Sequence, residues 1–339
     1  SKAIRLGEEA LRIRKKTLGT THPDNATILN NLSCYNFSLG NYSEAIRLGT
    51  EALHIQKKAL GKEHPNYALS LNNLAYHYSL AGNHSEATKL YIKVTQSYSN
   101  LVRSTFADLT VSEQALFWNK YNNYFNNELP KQAYTIAGDS LYASAYDGIL
   151  LSKGLLLNAE LELKKLLQES GDTAIVALYE ETRMNRMMLN KLFEKPMEQR
   201  FLDTDSLQRL IRRQEQELIL RSKTYGDYTK NLGITWQDVQ GKLKDEDIAL
   251  EFLSFPTEND SLMYVAMVLK QGMTCPQMIP LFEQKQLKNI PALSVYRTTE
   301  AYRLIWKPLE EKLKGVRNIY FAPAGELYNM AIETLPDTD

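Results

Sequence analysis

In "SEAIRLGTEALHIQKK", residues 43–58, the apolar positions Ala45, Leu48, Ala52 and Ile55 recur at steps of three and four, while Arg47, Glu51 and Lys58 lie between them. That pattern predicts a helix with one stripe against a neighbour and the rest in water. The stripe is one of a series. "SKAIRLGEEALRIRKKTLGTTHPDNATILNNL" returns as "SEAIRLGTEALHIQKKALGKEHPNYALSLNNL", with His22-Pro23 recurring as His64-Pro65 and Asn30-Asn31-Leu32 as Asn72-Asn73-Leu74. The displacement, about 42 residues, is the period of a helical solenoid. "GNYSEA" and "GNHSEA" predict a helix stop at Gly40 and Gly82, then a serine N-cap at Ser43 and Ser85. No such helix pair can bury its stripe alone, so the units must stack.

Beyond Tyr98 the period is lost and longer helices follow. Thr110 and Glu113 form a capping-box pattern opening "SEQALFWNKYNNYFNNEL", where Ala115, Trp118, Tyr121 and Phe125 share a face. Further helices are predicted over Asp139–Glu169, stopped by Gly171, over Thr173–Glu194, stopped by Pro196, and over Asp205–Tyr225. A third regime begins near residue 234. Thr235 and Asp238 cap a short helix, with Ile234 and Val239 spaced as a hydrophobic staple. "DIALEFLSF" and "LMYVAMVLK" read as strands separated by the polar turn "PTENDS", suited to a hairpin or to neighbouring strands, and "TTEAYRLIWKPLEEKLKG" reads as a helix closed by Gly315. Ile319, Tyr320 and Phe321 then read as a buried strand left by the turn Pro323-Ala324-Gly325. Strand, strand, helix, strand is the opening of an α/β layer fold.

A length of 339 residues predicts two or three domains. Forty basic and forty acidic residues give no long-range field, which argues against nucleic acid or an anionic membrane as a partner. No window approaches the ~20 apolar residues of a membrane span. Two distant cysteines, Cys34 and Cys275, build neither a disulfide framework nor a zinc site and fit a reducing, cytoplasmic compartment.

The repeat unit resembles the tetratricopeptide repeat in the longer form of kinesin light chains, which also carries "LGxxHP", "LNNLA" and "GxYxEA". The likeness covers residues 1–98 and starts within a unit, at its second helix. Asn36 stands where that family usually has a packing aromatic, and Thr88 replaces Ile46 of the previous turn. The later combination of helices, "ITWQDVQGKLKDEDIALEFLSF", "LIWKPLE" and "IYFAPAGELYNMAIETLP" resembles bacterial CHAT proteins, caspase-like cysteine proteases associated with these repeats. The resemblance implies a mainly α chain: a right-handed superhelix of helix pairs over 1–98, a helical connector over 99–233, and over 234–339 the first part of an α/β caspase-like domain.

In that family the catalytic His and Cys come further along. All five histidines here, His22, His54, His64, His77 and His84, precede residue 85, so Cys275 has no base in its own domain. Either the parent protein continues past Asp339 with the dyad, or the domain is a degenerate remnant. No catalytic residue, metal or cofactor is therefore expected in this chain. His22 and His64 supply one imidazole per repeat, too few for a coordination sphere, and read as residues that fix the loop before proline. Arg212 and Arg213 read as a solvated face paired with Glu215 and Glu217. Gly325 lacks the other glycines and the lysine of a phosphate loop.

Asn30, Asn31 and Cys34, and likewise Asn72, Asn73 and Tyr76, share one helical face offset from Leu32 and Leu74. The resemblance implies that this face lines a concave groove in which asparagines bond the backbone of an extended peptide. An amide offers donors and an acceptor, so it reads backbone without demanding a sequence. The alternative is that one Asn of each pair only ties adjacent repeats together. Asn31 and Asn73 are the better placed for a ligand.

Overall fold

The computed structural model describes residues 2–106, 109–193, 202–222 and 233–337. Five helices open the chain: α1 (Lys2–Leu18), α2 (Pro23–Ser38), α3 (Tyr42–Leu60), α4 (Pro65–Leu80) and α5 (His84–Phe106). Their ends follow from the repeated letters. Pro23 and Pro65 occupy the first helical position, where a missing N–H costs nothing. The histidine before each acts as N-cap: His22 Nδ1 accepts from Asp24 N at 3.2 Å, and His64 Nδ1 from Asn66 N at 3.1 Å. At the other end Gly40 and Gly82 adopt φ of +80° and +79°. Gly40 N–H donates to Phe37 O and Asn41 N–H to Asn36 O, and the same pair of bonds recurs at Gly82 and Asn83. This double bond pattern closes the last turn of each helix.

The N-caps that follow are Asn41 and Asn83, not the expected Ser43 and Ser85, because the helices begin two residues earlier. Asn83 Oδ1 accepts from Glu86 N at 3.2 Å. Asn41 instead turns its amide back onto Asn36 Oδ1 at 3.2 Å, while Asn36 Nδ2 donates to Leu32 O. Asn36 thus fills its buried position with hydrogen bonds where an aromatic ring was the family's habit. Ala26, Leu29 and Leu32 of α2 pack against Leu48, Ala52 and Ile55 of α3, the stripe read from the sequence.

Contacts divide the chain into two compact units, one of residues 1–101, 123–150 and 235–339, the other of residues 102–122 and 151–234. The stretch 99–233, read as one connector, is thereby shared between them. The capping box at Thr110 and Glu113 opens α6 (Val111–Trp118), but the helix expected to run on to Leu129 is interrupted after Trp118. A π-helical turn, Tyr124–Glu128, leads into α7 (Leu129–Ile136). α8 spans Asp139–Glu169, α9 Thr173–Phe193 and α10 Thr204–Ser222. Glu194, Pro196 and residues 223–225, which entered the expected helix ends, lie outside the described residues. In the second unit α9 and α10 pack together, and Glu215, 2 % exposed, pairs with Arg186 at 2.9 Å. Glu217 pairs with Arg221 at 3.2 Å.

The end of the first unit is a four-stranded mixed sheet. After α11 (Trp236–Gln240), β1 (Asp247–Pro256) and β2 (Leu262–Lys270) form the expected antiparallel hairpin. β3 (Gln277–Glu283) pairs antiparallel with β2 and β4 (Asn318–Ala322) parallel with β1, in the order β3-β2-β1-β4. β3 escaped the sequence reading because Pro280 interrupts it, which an edge strand tolerates. After α12 (Gln284–Lys288), the expected single helix before β4 is broken at Pro308 into α13 (Glu300–Ile305), a 3₁₀ turn Lys307–Leu309 and α14 (Glu310–Leu313). Ile248, Leu250, Phe252, Tyr264 and Phe282 face Ile305, Trp306 and Leu309, and Leu327, Ile332 and Leu335 complete this core. Ala249, Leu253, Phe255, Val265 and Met267 on the alternate face are buried as well. Burial of both faces explains why β1 and β2 read as unbroken apolar runs. β4 is a correction: it lies at the sheet edge, and Ile319 and Tyr320 are exposed.

Candidate functional site

Cys34, Asn72, Asn73 and Tyr76 line one cavity of about 430 Å³ on the inner face of α2 and α4. Asn30 and Asn31 do not. Asn30 is buried with its Oδ1 unpartnered, and Asn31 is exposed one turn before the cavity. The remaining walls are Phe37, Ser38 and His77, Tyr91 of α5, and Glu128, Lys131 and Gln132 from the π turn and α7. Tyr91 stands at the repeat position held by Gly49 one unit earlier, so the sequence did carry a sign that this unit differs. Glu128, Lys131 and Gln132 had no such sign.

The π turn and α7 form the floor of this groove. Asn72 Nδ2 donates to Glu128 Oε2 at 3.0 Å, and Ser79 Oγ donates to Gln132 Oε1 at 2.9 Å. Asn123 Nδ2 also donates to Glu128, at 2.8 Å. Tyr124, wholly buried, shares a 2.8 Å hydrogen bond with Thr95. On its far side the same segment meets the sheet, where the Tyr134 ring lies 5.6 Å from that of Phe255. Groove and sheet are therefore in contact through residues 123–136. Asn72 Oδ1 is buried without a partner, while the Asn73 amide makes no hydrogen bond among the described residues. Between them the two amides offer an unused acceptor and an unused amide group to a ligand.

His77 is 3 % exposed and stacks on Phe37 with ring centroids 4.3 Å apart. Ser33 Oγ donates to Ala45 O at 2.6 Å, which leaves its lone pair to accept from His77 Nδ1–H at 3.2 Å. That assigns the proton to Nδ1 and makes Nε2 an acceptor. Burial holds His77 neutral, its pKa pushed down to about 4. Burial also raises the Cys34 thiol above its ordinary value. A nucleophilic pair needs the reverse, a thiolate beside a basic imidazole, and neither shift runs that way although Cys34 and His77 line the same cavity. The Cys275 thiol is likewise raised, by burial first and by Asp139 beside it. Among the described residues no three His, Cys, Asp or Glu side chains converge as metal ligands, and no helix is long and apolar enough to cross a membrane.

The family model described as tetratricopeptide repeat matches residues 1–58 and again residues 44–100. The overlapping matches cover α1 to α4 and most of α5, so the solenoid is of this type. No curated protein matches the chain closely enough to count as a relative. Such repeats commonly bind proteins or peptides.

Proposed function

We propose that this chain is the partner-binding, regulatory portion of a caspase-like cysteine peptidase of the CHAT type, in which the solenoid groove receives an extended peptide. One observation carries the reading: the groove residues Asn72, Asn73 and Tyr76 converge on one cavity whose floor, residues 123–136, also packs on β1. A peptide backbone that claims Asn72 competes with Glu128. Displacing Glu128 moves the π turn, and with it Tyr134 against Phe255. Binding in the groove thereby becomes a change at the sheet, which in this reading is the first part of the catalytic domain. The parallel β1–β4 pair with helices between them supports an α/β layer there.

The test has two arms. A peptide array probed with this chain and with Asn73→Ala/Tyr76→Ala is expected to give a bound set that the variant loses. Equal binding by both would remove the groove from the account. In the second arm the chain by itself is expected to cleave no peptide, and thiol-dependent cleavage that disappears in Cys275→Ala would contradict the assignment of the catalytic groups to residues other than these.

A further inference from the structure

The repeat supplies its own internal control for a second site on the solenoid. Between the first two units Lys15 Nζ meets Glu51 Oε1 at 2.9 Å, tying α1 to α3. One unit later the corresponding residues are Lys57 on α3 and Lys93 on α5. The carboxylate has been replaced by a second cation in a frame that otherwise repeats. These two lysines and Lys62 line a polar pocket of about 310 Å³ with Glu63, Tyr67, Gln96, Ser97 and Asn100.

The pocket's polar groups are unused. None of Lys57, Lys62 and Lys93 makes an ion pair among the described residues, although Lys89, one turn earlier on α5, is held by Glu86 at 2.6 Å. The Tyr67 hydroxyl, the amides of Gln96 and Asn100 and the Ser97 hydroxyl also have no hydrogen-bond partner there. Tyr67 is 7 % exposed and is one of the residues lining the pocket. The preceding unit has Thr20, Thr21 and Asn25 where Lys62, Glu63 and Tyr67 stand, and Asn25 spends its amide on Gly19 O at 2.7 Å. Three cations against one carboxylate, ringed by neutral donors, repel one another until an anion enters. The earlier unit shows which anion the frame fits: a carboxylate on a side chain.

We propose that the pocket between α3, α4 and α5 binds an acidic side chain of a partner protein, which takes the place that Glu51 fills in the unit before. The site is separate from the groove and stands whether or not the groove binds peptide. The partner is an acidic segment rather than a free oxyanion, because the template in the same chain is a glutamate on a packed helix.

Fluorescence anisotropy with a labelled hexaglutamate peptide tests this. Wild-type chain is expected to bind with an affinity that falls as salt rises. Lys93→Glu, which rebuilds the lysine–glutamate bridge of the first unit, is expected to weaken binding about tenfold or more. Lys89→Glu makes the same charge change one turn away and is expected to stay within about twofold. Equal binding by Lys93→Glu and wild type would overturn the proposal, and so would an equal loss in Lys89→Glu, which would show a diffuse field. Displacement of the peptide by inorganic phosphate at concentrations below the peptide's own Kd would overturn the choice of a carboxylate.

Discussion

His77 gives the sharpest quantitative consequence of this packing. It lies under Phe37, donates through Nδ1 to Ser33 and shares the groove wall with Glu128 and Lys131, charges of opposite sign. Its pKa falls from an ordinary 6.5 to about 4 because burial disfavours the imidazolium. The unfolded chain therefore binds a proton that the folded chain refuses between those two values. The contribution to stability is fully present above pH 6.5 and is lost as pH falls towards 4, a swing of about 3 kcal/mol. His77→Asn keeps a donor for Ser33 and removes the titration. Urea denaturation of both proteins in steps from about pH 8 to about pH 4 isolates the group, since subtracting the profiles cancels Glu128 and every other carboxylate. The wild-type advantage over His77→Asn should shrink steadily below pH 6.5. Parallel profiles across that window would refute the burial of a neutral imidazole at this position.

Other consequences are local. His64→Ala removes an N-cap acceptor and should cost about 1 kcal/mol, with His64→Asn restoring most of it, as read by thermal melts. Gly325 has φ of +53° and its missing Cβ would press on Tyr264 Oη, which accepts from Glu326 N. Gly325→Ala should destabilise the sheet by about 1–3 kcal/mol, seen as a lower urea midpoint. Trp306→Phe gives up a buried 2.7 Å bond from Nε1 to Ile332 O and leaves that carbonyl only the longer 3.4 Å bond from Leu335 N, with an expected loss of about 1–2 kcal/mol in the same assay.

The repeats were legible because their information is local and printed twice. His-Pro sets a cap, Gly-Asn sets a stop, and the three-and-four spacing sets the buried stripe, each within a few residues. The hairpin of β1 and β2 was legible for the same reason. What escaped depended on distance. Glu128 reaches Asn72 from 56 residues away, and only because a π turn re-aims it. Ile319 and Tyr320 look like core letters, yet whether a strand is central or at the edge is decided by its partners, not by its own sequence. Asn30 and Asn31 show the limit of periodicity on a helix face: it places them beside the groove residues but not in the cavity, whose walls come from α5 and α7 as well as from the repeat.

The groove itself is best tested by observing its amides. With side-chain amide resonances assigned by Asn72→Asp and Asn73→Asp, the tightest peptide from the array can be titrated into the wild-type chain and followed by nuclear magnetic resonance. The account predicts that Asn72 and Asn73 shift together, with Tyr76 and with Gln132 on the groove floor. Saturable binding that leaves those signals in place, and moves others such as Asn31 instead, would contradict it.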